Sequence, residues 1–339
     1  MINKHDILEQ TPAGLYCRAG NFYIDPWQPV EKAVITHGHG DHARRGNKHY
    51  LAAKSCKRIL RARLGEDISL QPVDYGEKIN INGVWVSLHP AGHILGSAQV
   101  RIEHNDEVWV ASGDYKIEPD PTCEPFEQLK CHVFISESTF GLPVFKWRPQ
   151  TEIFDGINTW WQENREQGKT SLLFAYSLGK AQRIIAGLDP SIGPILTHGA
   201  VENMNQCYRQ AGIMLPHTRY VGEVEDKQDF GGAMVIAPPS ANSAGWTKKF
   251  GNTSMAFASG WMQIRGNRRR RSVDRGFVLS DHSDWLGLLK TIRQTEAETI
   301  WVSHGYTAEM IQWLQENGFY ARAISTQFGG ERDEEYPAS

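Results

Sequence analysis

Apolar positions alternate in short runs through the first part of the chain and take on helical spacing further along. Val34-Ile35-Thr36, Val84–His89 and Val108–Ala111 read as strands that run into glycine-marked turns. Asn82-Gly83 lies between Lys78–Ile81 and Val84–Leu88, and Asn105-Asp106 between Gln99–Glu103 and Glu107–Val110. Both are hairpin signals, because these residues accept the positive φ that a two-residue loop demands. Arg58–Leu64 has helical spacing. The pattern predicts two mixed sheets packed face to face with helices outside, an αββα sandwich in the α/β class.

From about Pro143 strand and helix alternate: Thr151–Glu166 helical, Ser171–Ala175 extended, Lys180–Leu188 helical, Ile195–Thr197 extended, Ala200–Ala211 helical. Such alternation predicts a parallel α/β unit. Boundaries are expected at Pro143–Pro149 and in the Arg265–Arg275 run. Phe277–Ser280, Trp285–Gln294 and Thr299–Ser303 would then return the chain to its first domain. The expected organisation is one domain from 1–143 and 272–339, a second inserted at 144–271, and an active site in the cleft between them.

Composition narrows the class. The chain has 339 residues, 40% apolar and 22% charged, with a net charge of −3. That excludes collagen-like, coiled-coil and disordered chains. No apolar run reaches the roughly 20 residues of a membrane span, and Met1–Gln10 is too polar for a signal peptide. Five scattered cysteines without a CxxC pair read as reduced thiols of a cytoplasmic protein. Charge is nevertheless uneven. Residues 261–275 hold six arginines against one aspartate, with Arg268, Arg269, Arg270 and Arg271 adjacent. A self-repelling block between two apolar segments is relieved by an anion, so a phosphate-binding role is expected.

The densest chemistry is His37-Gly38-His39-Gly40-Asp41-His42, at the end of a strand. His37 and His39 share one side of an extended chain, and the glycines let the loop carry Asp41 and His42 to a second point. Such ligand-type side chains suit two neighbouring divalent metals. His93, after Ala91-Gly92, and Asp114, after Ser112-Gly113, stand at similar strand ends and are expected to complete the site. Tyr176-Ser177-Leu178-Gly179-Lys180 follows a strand and opens a helix, where Ser177, Gly179 and Lys180 would meet a phosphate.

Together these residues resemble the metallo-β-lactamase fold: the HxHxDH run, the GHxxGS segment at His93, Ser112-Gly113-Asp114-Tyr115, and Asp25 in Tyr23-Ile24-Asp25-Pro26-Trp27. Segments around Glu137, His282 and His304 resemble the three added motifs of β-CASP nucleases, with the inserted domain as the β-CASP domain. The stretches around Asp25, His37, Trp261 and His282 look most similar to the bacterial DNA-ligase-associated exonuclease branch, on the Artemis-type side. The resemblance implies two divalent ions, zinc or alternatively manganese. His37, His39 and His93 would hold one, Asp41, His42 and His304 the other, with Asp114 bridging. It implies Asp25 as loop support, His282 as general acid or else a hydrogen-bond donor to the phosphate, and Glu137 as the carboxylate orienting His282 or His304. The implied activity is hydrolysis of single-stranded DNA from the 5′ end in DNA repair, in association with a DNA ligase and helicase. Histidine at 304 is instead the pattern of RNA-processing members, so an RNA-processing ribonuclease is the alternative. A small-molecule hydrolase is a third reading, disfavoured by the inserted domain and its arginines.

Overall fold

The computed structural model describes residues 6–225, 230–264, 266 and 273–325. The chain divides into two compact units, Met1–Pro143 with His282–Ser339, and Val144–Asp281. Among the described residues the strands form three sheets.

The first unit holds two of them. One runs in spatial order Leu8–Thr11, Gly14–Cys17, Phe22–Ile24, Lys32–Val34, His49–Ala53 and Leu70–Val73. The other runs Ile79–Ile81, Val84–Pro90, Ala98–His104, Glu107–Ala111, Val133–Ser138, Thr299–Gly305 and Tyr320–Ala323. Strand alternation sorts their side chains. Val34, Leu51, Trp109 and Trp301 point into one core shared by both sheets. Ala33, Ile35 and Ala52 point outward onto Leu60 and Leu64 of helix Lys57–Leu64. Val110, Ile300 and Val302 point outward onto Leu288, Leu289 and Ile292 of helix Trp285–Gln294. The layers are therefore helix, sheet, sheet, helix. Each fully buried large apolar side chain in that core contributes about 1.5–3 kcal/mol, and truncating Trp301, which meets Trp109 edge-on at 4.9 Å, costs about 3–5 kcal/mol.

Both hairpins form where the sequence places them. Asn82 and Gly83 have φ of 53° and 88°, and Asn105 and Asp106 have 48° and 64°. Paired positive values match the right-handed twist of the flanking strands.

The second unit is built on a parallel sheet in the order Arg219–Tyr220, Ile195–Thr197, Met234–Ala237, Thr170–Phe174, Thr253–Ala258, Arg275–Phe277. Its central strands are buried on both faces, which is why they are almost continuously apolar. The boundary expected at 272 needs correction. Arg275–Phe277 pairs with Ala256–Ala258 in this sheet, and Phe277 and Leu279 join its core, so the return to the first unit comes at His282. No helix among the described residues is long and apolar enough to cross a membrane. All five cysteines are buried and none is in a disulfide.

Candidate metal centre

The site is assembled on loops that leave the strand ends of the first unit. Asp25 stands just past Phe22–Ile24 with φ 43°, a turn that aims its carboxylate at the next loop. It accepts the Thr36 backbone N–H at 2.8 Å, the Thr36 hydroxyl at 2.6 Å and His42 Nδ1–H at 2.7 Å. Having donated its proton to Asp25, Thr36 Oγ1 accepts from His37 Nδ1 at 3.1 Å. Both imidazoles therefore carry their proton on Nδ1 and turn the Nε2 lone pair inward, the form a metal ligand requires. Gly113, at φ 57°, lets the Asp114 loop close onto this network, since a Cβ there would lie 2.7 Å from Thr36 Cβ.

His37 Nε2 and His93 Nε2 lie 3.2 and 3.1 Å from His39 Nδ1. With metal–nitrogen bonds of about 2.0–2.1 Å, ligands at tetrahedral corners stand about 3.3–3.4 Å apart, so the three nitrogens have the spacing of one coordination shell. His37, His39, His93 and Asp114 form a group able to hold a metal ion. His37 and His93 are fully buried.

A second set faces the same carboxylate. His42 Nε2 lies 3.4 Å from Asp114 Oδ2 and 3.6 Å from Asp41 Oδ2, and it is buried without a hydrogen-bond partner. The His304 ring is 5.3 Å from that of His42, and its Nδ1 is likewise buried and unpartnered. Asp41, His42 and His304 line a cavity of about 60 Å³. His304 reaches it through a left-handed backbone, φ 53°, at the end of Thr299–Gly305. Gly305 makes that ending possible, because a Cβ there would stand 2.3 Å from the Ser138 carbonyl oxygen. Buried nitrogens with no partner are costly unless something binds them, and this donor set fits a divalent cation.

Charge supports the fit. Burial alone would lower the His42 pKa, but Asp114, Asp41 and Asp25 hold it well above the usual histidine value. Burial, with His42 beside it, holds His37 well below that value. Burial would raise Asp114, yet the neighbouring histidines, His42 foremost, keep it well below the carboxylate range. Carboxylates that favour a proton on His42 would equally favour a cation at its Nε2.

His282 and Glu137 form a buried pair, with His282 Nδ1 2.8 Å from Glu137 Oε2. Glu137 Oε1 accepts the Tyr115 N–H at 2.7 Å, which fixes the carboxylate from its other side. Of the two imidazoles Glu137 was expected to orient, it is bonded to His282. The His282 ring lies 4.5 Å from that of His93.

The phosphate contacts expected in the second unit fare differently. Lys180 is fully buried, with its ammonium 3.1 Å from Asp281 Oδ1 and 4.6 Å above the Tyr176 ring. Its charge is engaged inside the unit, a correction to its reading as a phosphate contact. The Gly179 N–H, expected to be offered to a phosphate, is donated to Gln182 Oε1 at 2.8 Å. Ser177 is half-buried in the same turn. Arg268, Arg269, Arg270 and Arg271 lie outside the described residues. Sequence reasoning missed Thr36, the hydroxyl linking Asp25 to His37, and Asp281, the partner of Lys180. Thr36 adjoins the histidine run, so its place was the available signal; Asp281 gave none.

No family model matches the chain. It is 29% identical over 313 residues to a probable DNA ligase of Opitutus terrae, covering 92% of this chain and 30% of that protein. It is 23% identical over 216 residues to the endoribonuclease YSH1 of Saccharomyces cerevisiae, covering 53% of this chain and 27% of that protein. The chain thus spans under a third of either relative. A solved protein of unknown function from Enterococcus faecalis V583 shares the fold, with a TM-score of 0.60 and 13% identity over 88% of this chain and 80% of that one.

Proposed function

We propose that the protein is a metal-dependent phosphodiesterase of the metallo-β-lactamase β-CASP class, an exonuclease that hydrolyses single-stranded DNA from the 5′ end in DNA repair. One observation carries the reading: a single oxygen, Asp114 Oδ2, lies 3.6 and 3.9 Å from Nε2 of His37 and His93 in the first group and 3.4 Å from Nε2 of His42 in the second. A carboxylate within reach of imidazoles from both groups is the arrangement a two-metal centre needs. Zinc or manganese, held by His37, His39, His93 and Asp114 and by Asp41, His42, His304 and Asp114, would supply Lewis acidity, polarising a phosphate oxygen and lowering the pKa of water.

The chain's own groups do the rest. Asp25 and Thr36 lock the tautomers of His42 and His37. Glu137 holds His282 by Nδ1 and balances its imidazolium, leaving Nε2–H to protonate the leaving oxygen. Similarity across 92% of the chain to part of a probable DNA ligase supports DNA as the polymer and a ligase as a functional partner. Histidine at 304 and similarity to an endoribonuclease favour the second reading, an RNA-processing enzyme. Metal-loaded protein incubated with end-labelled single-stranded DNA and RNA of matched sequence separates the two. Shortening of DNA from its 5′ end, abolished by chelator, is expected. Cleavage of RNA alone would move the protein to the second reading, and cleavage of neither would sink both.

A further inference from the structure

The second unit carries a cluster of rings and cations that the metal chemistry does not use. Strands Ile195–Thr197 and Arg219–Tyr220 are parallel neighbours, with Thr197 paired to Tyr220. His198, which follows the first, and Tyr220, which ends the second, therefore emerge side by side at the carboxyl edge of the sheet. That is the edge where open α/β sheets bind their ligands.

Tyr220 is 40% exposed. Its ring is laid against backbone, since a Cβ on Gly199 or Gly222 would come within 3.2 or 2.3 Å of it. His198 Nδ1 accepts the Ala200 N–H at 3.1 Å, so its proton is on Nε2. The His198 ring lies 5.6 Å from that of Trp246, over which the Lys249 ammonium sits at 4.8 Å, with Phe250 4.9 Å from the same ammonium. Among the described residues no carboxylate pairs with Lys249, and burial pulls its pKa down. An anion beside it would supply the missing counter-charge, and Lys248 and Arg219 lie exposed nearby in sequence.

We propose that Tyr220, His198 and Lys249 form a surface subsite for single-stranded nucleic acid, in which Tyr220 stacks a base while His198 Nε2–H and the Lys249 ammonium meet a neighbouring phosphate. Open rings interleaved with uncompensated cations are how proteins hold single strands without reading sequence. Duplex DNA, whose bases are already stacked, has nothing to offer Tyr220. The inference rests on the nuclease reading but concerns residues that reading does not employ.

Binding of a labelled oligothymidylate to the full chain in chelator, by fluorescence anisotropy across a salt series, tests it. Tyr220→Ala is expected to weaken binding roughly five- to a hundredfold, the range for losing one stacked base. Tyr220→Phe keeps the ring and should keep the affinity. Lys249→Gln should flatten the slope of log affinity against log salt by about 0.7, one phosphate contact. Tyr220→Ala binding as tightly as wild type, or Tyr220→Phe losing as much as Tyr220→Ala, would overturn the subsite. Wild-type protein that cleaves nucleic acid while Tyr220→Ala binds it unchanged defeats the subsite alone. Wild-type protein that neither binds nor cleaves defeats the nuclease reading with it.

Discussion

His282 and His304 both come from the C-terminal segment of the first unit, yet their surroundings differ, and the proposed function gives them different work. His282 is bonded through Nδ1 to a buried carboxylate, which fixes its ring and, in the proposed reaction, would leave Nε2 to move a proton. His282→Ala should leave metal content unchanged and slow cleavage by about 10²–10⁴-fold, the span of a lost general acid; elemental analysis beside single-turnover rates checks both. Loss of a metal ion would make it a ligand instead. His304 has a buried nitrogen without a partner and a backbone turned left-handed to deliver it. His304→Val should lower metal occupancy and activity together, and near-normal DNA cleavage by that variant would remove it from the ligand set. The histidines were legible because six adjacent positions carried four ligand-type side chains. Thr36 was not, since a threonine at a strand end has many ordinary uses and only its hydrogen bonds distinguish it.

Among the elements, helix Gly199–Gln210 is tied to its sheet by one carboxylate. Glu202 accepts from Thr197 Oγ1 at 2.6 Å and Thr218 Oγ1 at 2.7 Å, and pairs with Arg209 at 3.0 Å. Burial would raise its pKa, but these donors win and lower it. A depressed folded-state pKa contributes stability that is present above the unfolded value, about 4.3, and is lost as pH falls through the folded one. Glu202→Gln should therefore melt lower than wild type at neutral pH and show a flatter acid limb, read from melting temperature against pH. Parallel acid limbs would show that Glu202 does not govern acid lability. The hairpins were readable because Asn-Gly and Asn-Asp state their backbone geometry locally. Strand Arg275–Phe277 was harder: three residues form it, Arg-Gly-Phe with one apolar side chain, and the apolar run that begins at Phe277 announces a strand without naming its sheet. Lys180 misled for a similar reason. A strand–glycine–helix turn suggests phosphate, and only the tertiary pairing with Asp281 shows where the ammonium goes.

For the molecule as a whole, a net charge of −3 gives no general attraction to nucleic acid, so affinity has to come from local basic surface. Replacing Arg268, Arg269, Arg270 and Arg271 together by Ala should weaken single-strand binding most at low salt. If two of the four meet phosphates, the salt slope flattens by about 1.4. A variant that loses thermal stability while keeping the wild-type slope would place the arginines in internal ion pairs. The layered architecture of the first unit and the parallel sheet of the second were both legible from periodicity, because alternation of two and of 3.6 residues is set by the backbone itself.

The central strand Val133–Ser138 lies between Glu107–Ala111 and Thr299–Gly305, so the first unit's second sheet is closed by chain made only after the second unit. A nascent chain leaving the ribosome must therefore hold the N-terminal half-sandwich open, with one flank of Val133–Ser138 unpaired, while residues 144–281 emerge and can fold locally. A fragment ending at Pro143 should fail to fold and aggregate, whereas adding residues 282–325 in trans should rescue it. Near-UV circular dichroism of the two fragments, apart and mixed, would show the difference. The order of synthesis thus makes late translation errors costly for the metal centre: a chain cut short before His304 lacks both a ligand-type histidine and the strand beneath it.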